Sequence, residues 1–185
     1  MSATNRGSKR IESDFYPTPL ITIDSFLDNY RLKDGTILEP CAGNGNLIGA
    51  IRGRGYTDEI VANEIRESEH DNLASAGANY IYHEDFLNVE IPSHDVRTII
   101  TNPPFNLAKE FILRSKELYP NAEVIMLLRL AFLESKSRLD FWKDNNVDEL
   151  YILSQRPKFI NNKSDATAYA WFVWNNSGKQ KIKVI

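Results

Sequence analysis

Asn102-Pro103-Pro104-Phe105 joins an amide side chain, peptide carbonyls without competing proline N–H groups, and an aromatic ring at the end of an apolar run, Val96–Ile100. Two consecutive prolines can neither continue a strand ladder nor open an ordinary helical turn. The chain must stop at the strand end and hold a stiff, extended loop. Such a loop suits gripping a planar group that carries an amine.

A second constellation lies upstream. Leu38-Glu39-Pro40-Cys41-Ala42-Gly43-Asn44-Gly45-Asn46-Leu47 reads as a strand, a glycine-bearing turn and a helix start. Gly43 and Gly45 permit a tight turn and close backbone approach to a ligand, and Asn46 is placed to cap the helix. The spacing is not the full G-x-G-x-x-G of a dinucleotide site, although Gly49 follows. Glu39 would repel a pyrophosphate and suits a cationic amino group. Glu64 ends the next strand about 20 residues on, where a carboxylate binds ribose hydroxyls. Asp85 ends the third strand, able to accept from an adenine amine while Phe86 packs on the ring. An acid at a strand end is about as often a helix cap or a solvated loop residue; the ordered set followed by Asn102–Phe105 is the stronger signal. Cys41 reads as a small packed residue rather than a nucleophile, because no histidine is near it in sequence.

The elements that must position these residues alternate. Leu20, Ile23, Phe26, Leu27 and Tyr30 are spaced for one helical face. Strands are expected at Thr36–Glu39, Ile60–Glu64, Tyr80–His83, Val96–Thr101, Val124–Leu128, Leu150–Leu153 and Tyr169–Trp174. Helices are expected at Asn46–Arg54, Glu67–Ser75, Leu107–Leu118 and Lys136–Asp144. This is an α/β pattern with helices on both faces of a mostly parallel, seven-stranded sheet. The short connection Ser154–Ala168 predicts one reversed strand at the sheet's end. Residues 1–13 are polar and expected to be flexible; residues 14–185 read as one domain. The loop Asn161–Thr167 is polar, and Trp142, Trp171 and Trp174 read as packing residues.

Composition narrows the class. A hydrophobic content of 42% and a charged content of 25% over 185 residues are those of a globular domain. No apolar run approaches the ~20 residues of a membrane span. One cysteine excludes an internal disulfide and fits a reducing, cytoplasmic setting, and with three scattered histidines it argues against zinc. The net charge of -3 is not that of a strongly basic nucleic-acid binder. Positive charge is nevertheless clustered at Arg6/Lys9/Arg10, at Arg156/Lys158/Lys163 and in a Lys179/Lys181/Lys183 tail, which permits phosphate contacts without demanding them; solvated termini are the alternative.

Taken together, Asp14 to Trp174 resembles the S-adenosylmethionine-dependent amino-methyltransferases with a Rossmann-like class I domain, and in style the small phage and bacterial adenine-specific DNA methyltransferases. The resemblance implies that Tyr16-Pro17-Thr18-Pro19 lies against the methionine end of S-adenosyl-L-methionine. It implies that Glu39, Pro40, Gly43 and Gly45 form the cofactor loop, that Glu64 binds ribose, and that Asp85 with Phe86 forms the adenine pocket. Asn102, Pro103, Pro104 and Phe105 would be catalytic, the Asn102 Oδ1 and Pro103 carbonyl accepting the amine's hydrogens. Arg156-Pro157-Lys158-Phe159 falls where that family places a second aromatic loop, so Phe105 and Phe159 would stack on opposite faces of a flipped adenine, with Arg156 and Lys158 beside it. No metal is implied. The expected partner is nucleic acid, DNA before RNA. Without a separate target-recognition domain in this reading, sequence recognition comes from loops, from a partner subunit, or is absent. An RNA adenine methyltransferase carries similar residues. A protein glutamine methyltransferase usually has tyrosine in place of Phe105, and a non-catalytic cofactor-binding subunit would be expected to lose Asn102 or the glycines.

Overall fold

The computed structural model describes residues 17–88, 94–159 and 166–185. Tyr16, the segment 1–13, Lys163 and most of the polar loop 161–167 lie outside the described residues. The chain runs α1 (Leu20–Leu27), β1 (Thr36–Glu39), α2 (Asn46–Gly53), β2 (Ile60–Asn63), α3 (His70–Ala76), β3 (Tyr80–Tyr82), β4 (Val96–Thr101), α4 (Ala108–Leu118), β5 (Glu123–Arg129), α5 (Leu139–Asp144), β6 (Glu149–Ile152), β7 (Tyr169–Trp174) and β8 (Lys181–Val184). Among these residues no helix is long and apolar enough to cross a membrane.

The strands form one sheet in the order β3-β2-β1-β4-β5-β7-β6-β8. From β1 the chain steps outward through β2 and β3, then returns to lay β4 on the other side of β1. The carboxyl ends of β1 and β4 therefore flank the point where strand order reverses, where open α/β sheets form their ligand crevice. β7 is antiparallel to both β5 and β6, and every other pairing is parallel.

Two details depart from the expected sheet. The reversed strand is not at the end but between β5 and β6. Its six residues, Tyr-Ala-Trp-Phe-Val-Trp, are all buried, so it needs a neighbour on each edge and cover on each face. The lysine tail is also not a solvated terminus: Lys181–Val184 pairs with β6 as an eighth strand. Its alternating Lys-Ile-Lys-Val sequence gave no apolar run, and its four exposed residues suit an outer edge guarded by lysines.

One helix face also differs. Leu20 is 55% exposed, while Ile23 and Phe26 are buried as expected and Thr22 is buried with them. The aromatic contacts decide the rotation. Phe26 stacks on Trp171 with ring centroids 4.8 Å apart, and Trp171 Nε1 donates to the Thr22 carbonyl at 3.2 Å. At the amino end of β5, buried Glu123 accepts from Thr98 Oγ1, the Tyr30 hydroxyl and the Lys33 amide, which ties the chain after α1 to β4 and β5.

The turn after β1 rests on two left-handed glycines, Gly43 at φ 56 and Gly45 at φ 81. At Gly45 a Cβ would stand 2.7 Å from the Ala76 Cβ, so the glycine also lets α2 start against α3. Gly45→Ala is expected to destabilise the fold by about 3 kcal/mol, combining left-handed strain with overpacking. Urea unfolding should show a lower midpoint with an unchanged slope.

Candidate active site

The carboxyl ends of β1, β2, β3 and β4 surround a cleft of about 260 Å³, the scale of a small-molecule site rather than a flat surface. Its walls include Thr18, Glu39, Gly43, Glu64, Phe86 and Asn102, drawn from five separate stretches of chain. Pro17, Pro40, Asp85, Pro103, Pro104 and Phe105 also line it. Pro19 instead precedes the first turn of α1, where its carbonyl accepts from the Thr22 amide at 3.0 Å.

Thr18 joins three of these stretches. Its carbonyl accepts from Asn46 Nδ2 at 3.0 Å, and its hydroxyl accepts from Asn102 Nδ2 at 3.1 Å. Asn46 is thus not a helix cap: Gly45 occupies that position, and the Asn46 amide reaches back to hold the leading segment over the glycine turn. Asn102 follows β4 directly, and the Thr18 bond orients its amide so that Oδ1 is the end turned away from Thr18. Pro104 keeps an extended ψ of 121, and one tight turn, Phe105–Leu107, leads into α4. The prolines hold the strand end straight, and helical turns begin only at Phe105, with α4 starting at Ala108.

The acids differ in how they are held. Glu39 is 4% exposed, and its Oε2 has no hydrogen-bond partner among the described residues. Burial, reinforced by the charge of Glu64, raises its carboxyl well above the ordinary range. Glu64 is committed: Oε2 accepts from the Gly43 amide at 2.8 Å, and Oε1 accepts from the Arg66 amide and from Arg66 Nε, at 3.2 and 2.8 Å. Asp85 lies beyond β3 on an exposed turn and accepts from the Leu87 amide and Asn88 Nδ2. Phe86 is buried and stacks on Phe111 at 5.3 Å. Burial, then the charges of Glu64, Glu39 and Asp85, push the Cys41 thiol well up, which keeps it protonated and a poor nucleophile.

Phe105 borders the cleft within an aromatic cluster. Its ring meets Phe159 edge to face, with centroids 6.3 Å apart and planes at 65°, and Tyr169 at 5.4 Å and 52°. The Arg129 guanidinium lies over the Phe105 ring at 4.9 Å. Phe105 and Phe159 are therefore not parallel walls with a slot between them. A planar group can stack on both only if the rings part. Arg156 and Lys158 are exposed beyond β6.

Four residues of this region carry no flag in the sequence pattern. Asn63, 1% exposed, donates to the carbonyls of Pro40 and Glu84 and accepts from the Glu84 amide, fastening the ends of β1 and β3 to β2. The usable signal was a polar amide closing an apolar strand. Ile65, 59% exposed, presents an apolar side chain to the cleft beside Glu64. Arg66 bridges Glu64 and Glu69. Arg129 extends β5 one residue past its apolar run.

No protein-family model and no curated protein matches this sequence. Solved structures match the fold. A protein assigned as an RNA methyltransferase from Pyrococcus horikoshii shares 16% identity at a TM-score of 0.64, covering 92% of this chain and 92% of that one. A dimethyladenosine transferase from Plasmodium falciparum shares 13% identity at 0.60, covering 84% of this chain; the chain spans 61% of that enzyme's length. TrmK of M. capricolum, in complex with S-adenosyl-homocysteine, shares 10% identity at 0.58, with 88% and 69% covered. The chain has the fold of these methyltransferases. Such identities speak for the fold and leave the chemistry to the residues of the cleft.

The buried Glu39 carboxyl yields a signed pH effect. With its folded value raised above the ordinary 4.5, its favourable contribution is full below that ordinary value and is lost as pH rises through the raised one. Glu39→Gln in the ligand-free protein is expected to raise the melting temperature at neutral pH. The difference should vanish on acidification, as read by thermal unfolding across pH.

Proposed function

We propose that this chain transfers the methyl group of S-adenosylmethionine to the exocyclic amine of adenine in DNA. The observation that carries the reading is the meeting of Glu39 and Asn102 in one cleft at the strand-order switch, with the Asn102 amide set by Thr18. The residues suit the cofactor: a buried carboxylate oxygen without a partner among the described residues matches an ammonium, and the left-handed Gly43 and Gly45 permit close backbone approach. Bound there, S-adenosylmethionine supplies an electrophilic sulfonium methyl.

In this reading Glu39 takes the cofactor's amino group, Glu64 its ribose, and Asp85 its adenine amine, with Ile65 and Phe86 bordering the ring. Pro17 and Thr18 close the methionine end, and Pro40 shapes the strand exit. The target amine is a poor nucleophile because its lone pair is delocalised into the ring. Asn102 Oδ1 and the Pro103 carbonyl each accept one of its hydrogens, which draws electron density to nitrogen and aims the lone pair at the methyl. Alignment then contributes much of the rate.

Reaching that amine in a duplex requires flipping the base. Stacking on Phe105 is worth roughly 1–3 kcal/mol, and Phe159 contributes if it swings away from its edge contact. Arg156 and Lys158 serve the backbone. Adenine in RNA is the second reading, favoured by the RNA-methyltransferase and dimethyladenosine-transferase assignments of the fold neighbours. Tritiated cofactor offered to matched DNA, RNA and protein, with mass spectrometry of the labelled product, separates the readings; label found only in protein would overturn both.

Two variants test the residue roles. Asn102→Ala should keep cofactor affinity by calorimetry and lower transfer by more than a hundredfold, on the order of losing a key transition-state hydrogen bond. Full activity in that variant would remove Asn102 from the mechanism. Glu64→Ala should weaken cofactor binding at least tenfold, about the loss of a charge-assisted hydrogen bond, and an unchanged dissociation constant would misplace the ribose.

A further inference from the structure

The loops at the carboxyl edge of the sheet divide by charge. Those following β1, β2 and β3, residues 39–46, 64–69 and 83–88, carry six acids and one cation, Arg66. Those at the ends of β5 and β6, residues 129–138 and 153–159, carry five cations and one acid, Glu134. A net charge of -3 hides this division, which decides where along the edge a polyanion is tolerated.

Arg129 is the cation of that half nearest the amine-gripping loop, and it is held in place. Its Nε donates to the Tyr169 hydroxyl at 3.2 Å, and its guanidinium lies over the Phe105 ring. Tyr169 pairs with Arg129 across the β5–β7 ladder and is fully buried, so its hydroxyl is a fixed post. Arg129 is nevertheless exposed to solvent. Arg138, by contrast, turns inward: its Nη1 donates to the Glu134 carbonyl at 2.7 Å and its guanidinium covers the Phe132 ring, fixing the loop that carries Lys136.

We infer that Arg129 is a phosphate-binding residue for a polynucleotide, the ordered member of a basic rim that runs over the ends of β5, β7 and β6 and includes Lys136, Arg156 and Lys158. The inference rests on the proposed adenine methyl transfer and adds to it the path of the strand. The backbone crosses the basic half, the base descends past Phe105 toward Asn102, and the acidic half is left to the cationic cofactor. A guanidinium already stacked and hydrogen-bonded loses less side-chain freedom on meeting a phosphate than a free lysine does.

The test uses the full chain and two measurements across a salt series. Anisotropy of a labelled oligonucleotide reads binding, and methyl transfer to duplex DNA, single-stranded DNA and RNA of one sequence reads turnover. Arg129→Gln should raise KM for the polynucleotide and lower the slope of log affinity against log salt by about one. Arg129→Lys should restore the slope but not the full affinity, and Tyr169→Phe should raise KM in the same direction. A wild-type slope in Arg129→Gln would overturn the inference while leaving the methyl-transfer reading intact. Arg129-dependent binding without transfer to any polynucleotide would do the reverse. A structural role for Arg129 alone would lower thermal stability without moving the salt slope, and that result also overturns it.

Discussion

Thr18 is the contact on which the site's geometry depends. One residue offers its carbonyl to Asn46 and its hydroxyl to Asn102, so a single residue sets the leading segment, the glycine turn and the Asn102–Phe105 loop relative to one another. Each bond adds only about 1 kcal/mol to stability. Their weight lies in direction, because an amide turned end for end presents a donor where an acceptor is needed. Thr18 is fixed in turn by α1, which is locked by the Phe26–Trp171 stack and by the Trp171 bond to the Thr22 carbonyl. The path from core to chemistry runs from β7 through Trp171 to α1, then to Thr18 and Asn102.

The sheet topology explains why this path is short. β4 returns beside β1, so the strand ends bearing Glu39 and Asn102 are neighbours although 63 residues apart in sequence. Asn63 completes the frame by bonding the ends of β1 and β3 from β2. The same topology separates charge. The loops that follow β1, β2 and β3 carry acids, and those that follow β5 and β6 carry cations. A field arranged this way favours a cationic ligand on one side and a polyanion on the other without help from the net charge.

Much of this was legible in the sequence. The apolar runs of β1, β2, β4 and β5 and the punctuation between them marked strand ends within a residue or two, and strand ends are where Glu39, Glu64 and Asn102 had to lie. What the pattern did not carry was tertiary. Leu20 fits the apolar spacing of α1, but a stack of large rings set the helix rotation and turned it outward. Asn46 has a capping side chain, yet a left-handed glycine took the cap and released the amide to reach Thr18. β8 alternates charge with branched residues and reads as a tail until β6 offers an edge. Phe105 and Phe159 read as two walls of a slot because sequence gives ring identity without ring angle, and the 65° between their planes comes from packing on Tyr169.

Glu64 shows how far position and readiness can differ. It follows β2, where the proposed reading puts a ribose, but three hydrogen bonds already reach it, two on Oε1 and one on Oε2. A carboxylate offers about four lone-pair positions. One is left, whereas a diol brings two hydroxyls. The Gly43 amide belongs to the turn that shapes the cleft and cannot withdraw without opening it. Arg66 is different: its guanidinium also pairs with Glu69, which gives it a place to go when Oε1 is needed. In the proposed reading, two-point binding of a diol at Glu64 would be coupled to the Arg66 side chain shifting toward Glu69, and the strength of the Arg66–Glu64 pair would be subtracted from the affinity for the ribose.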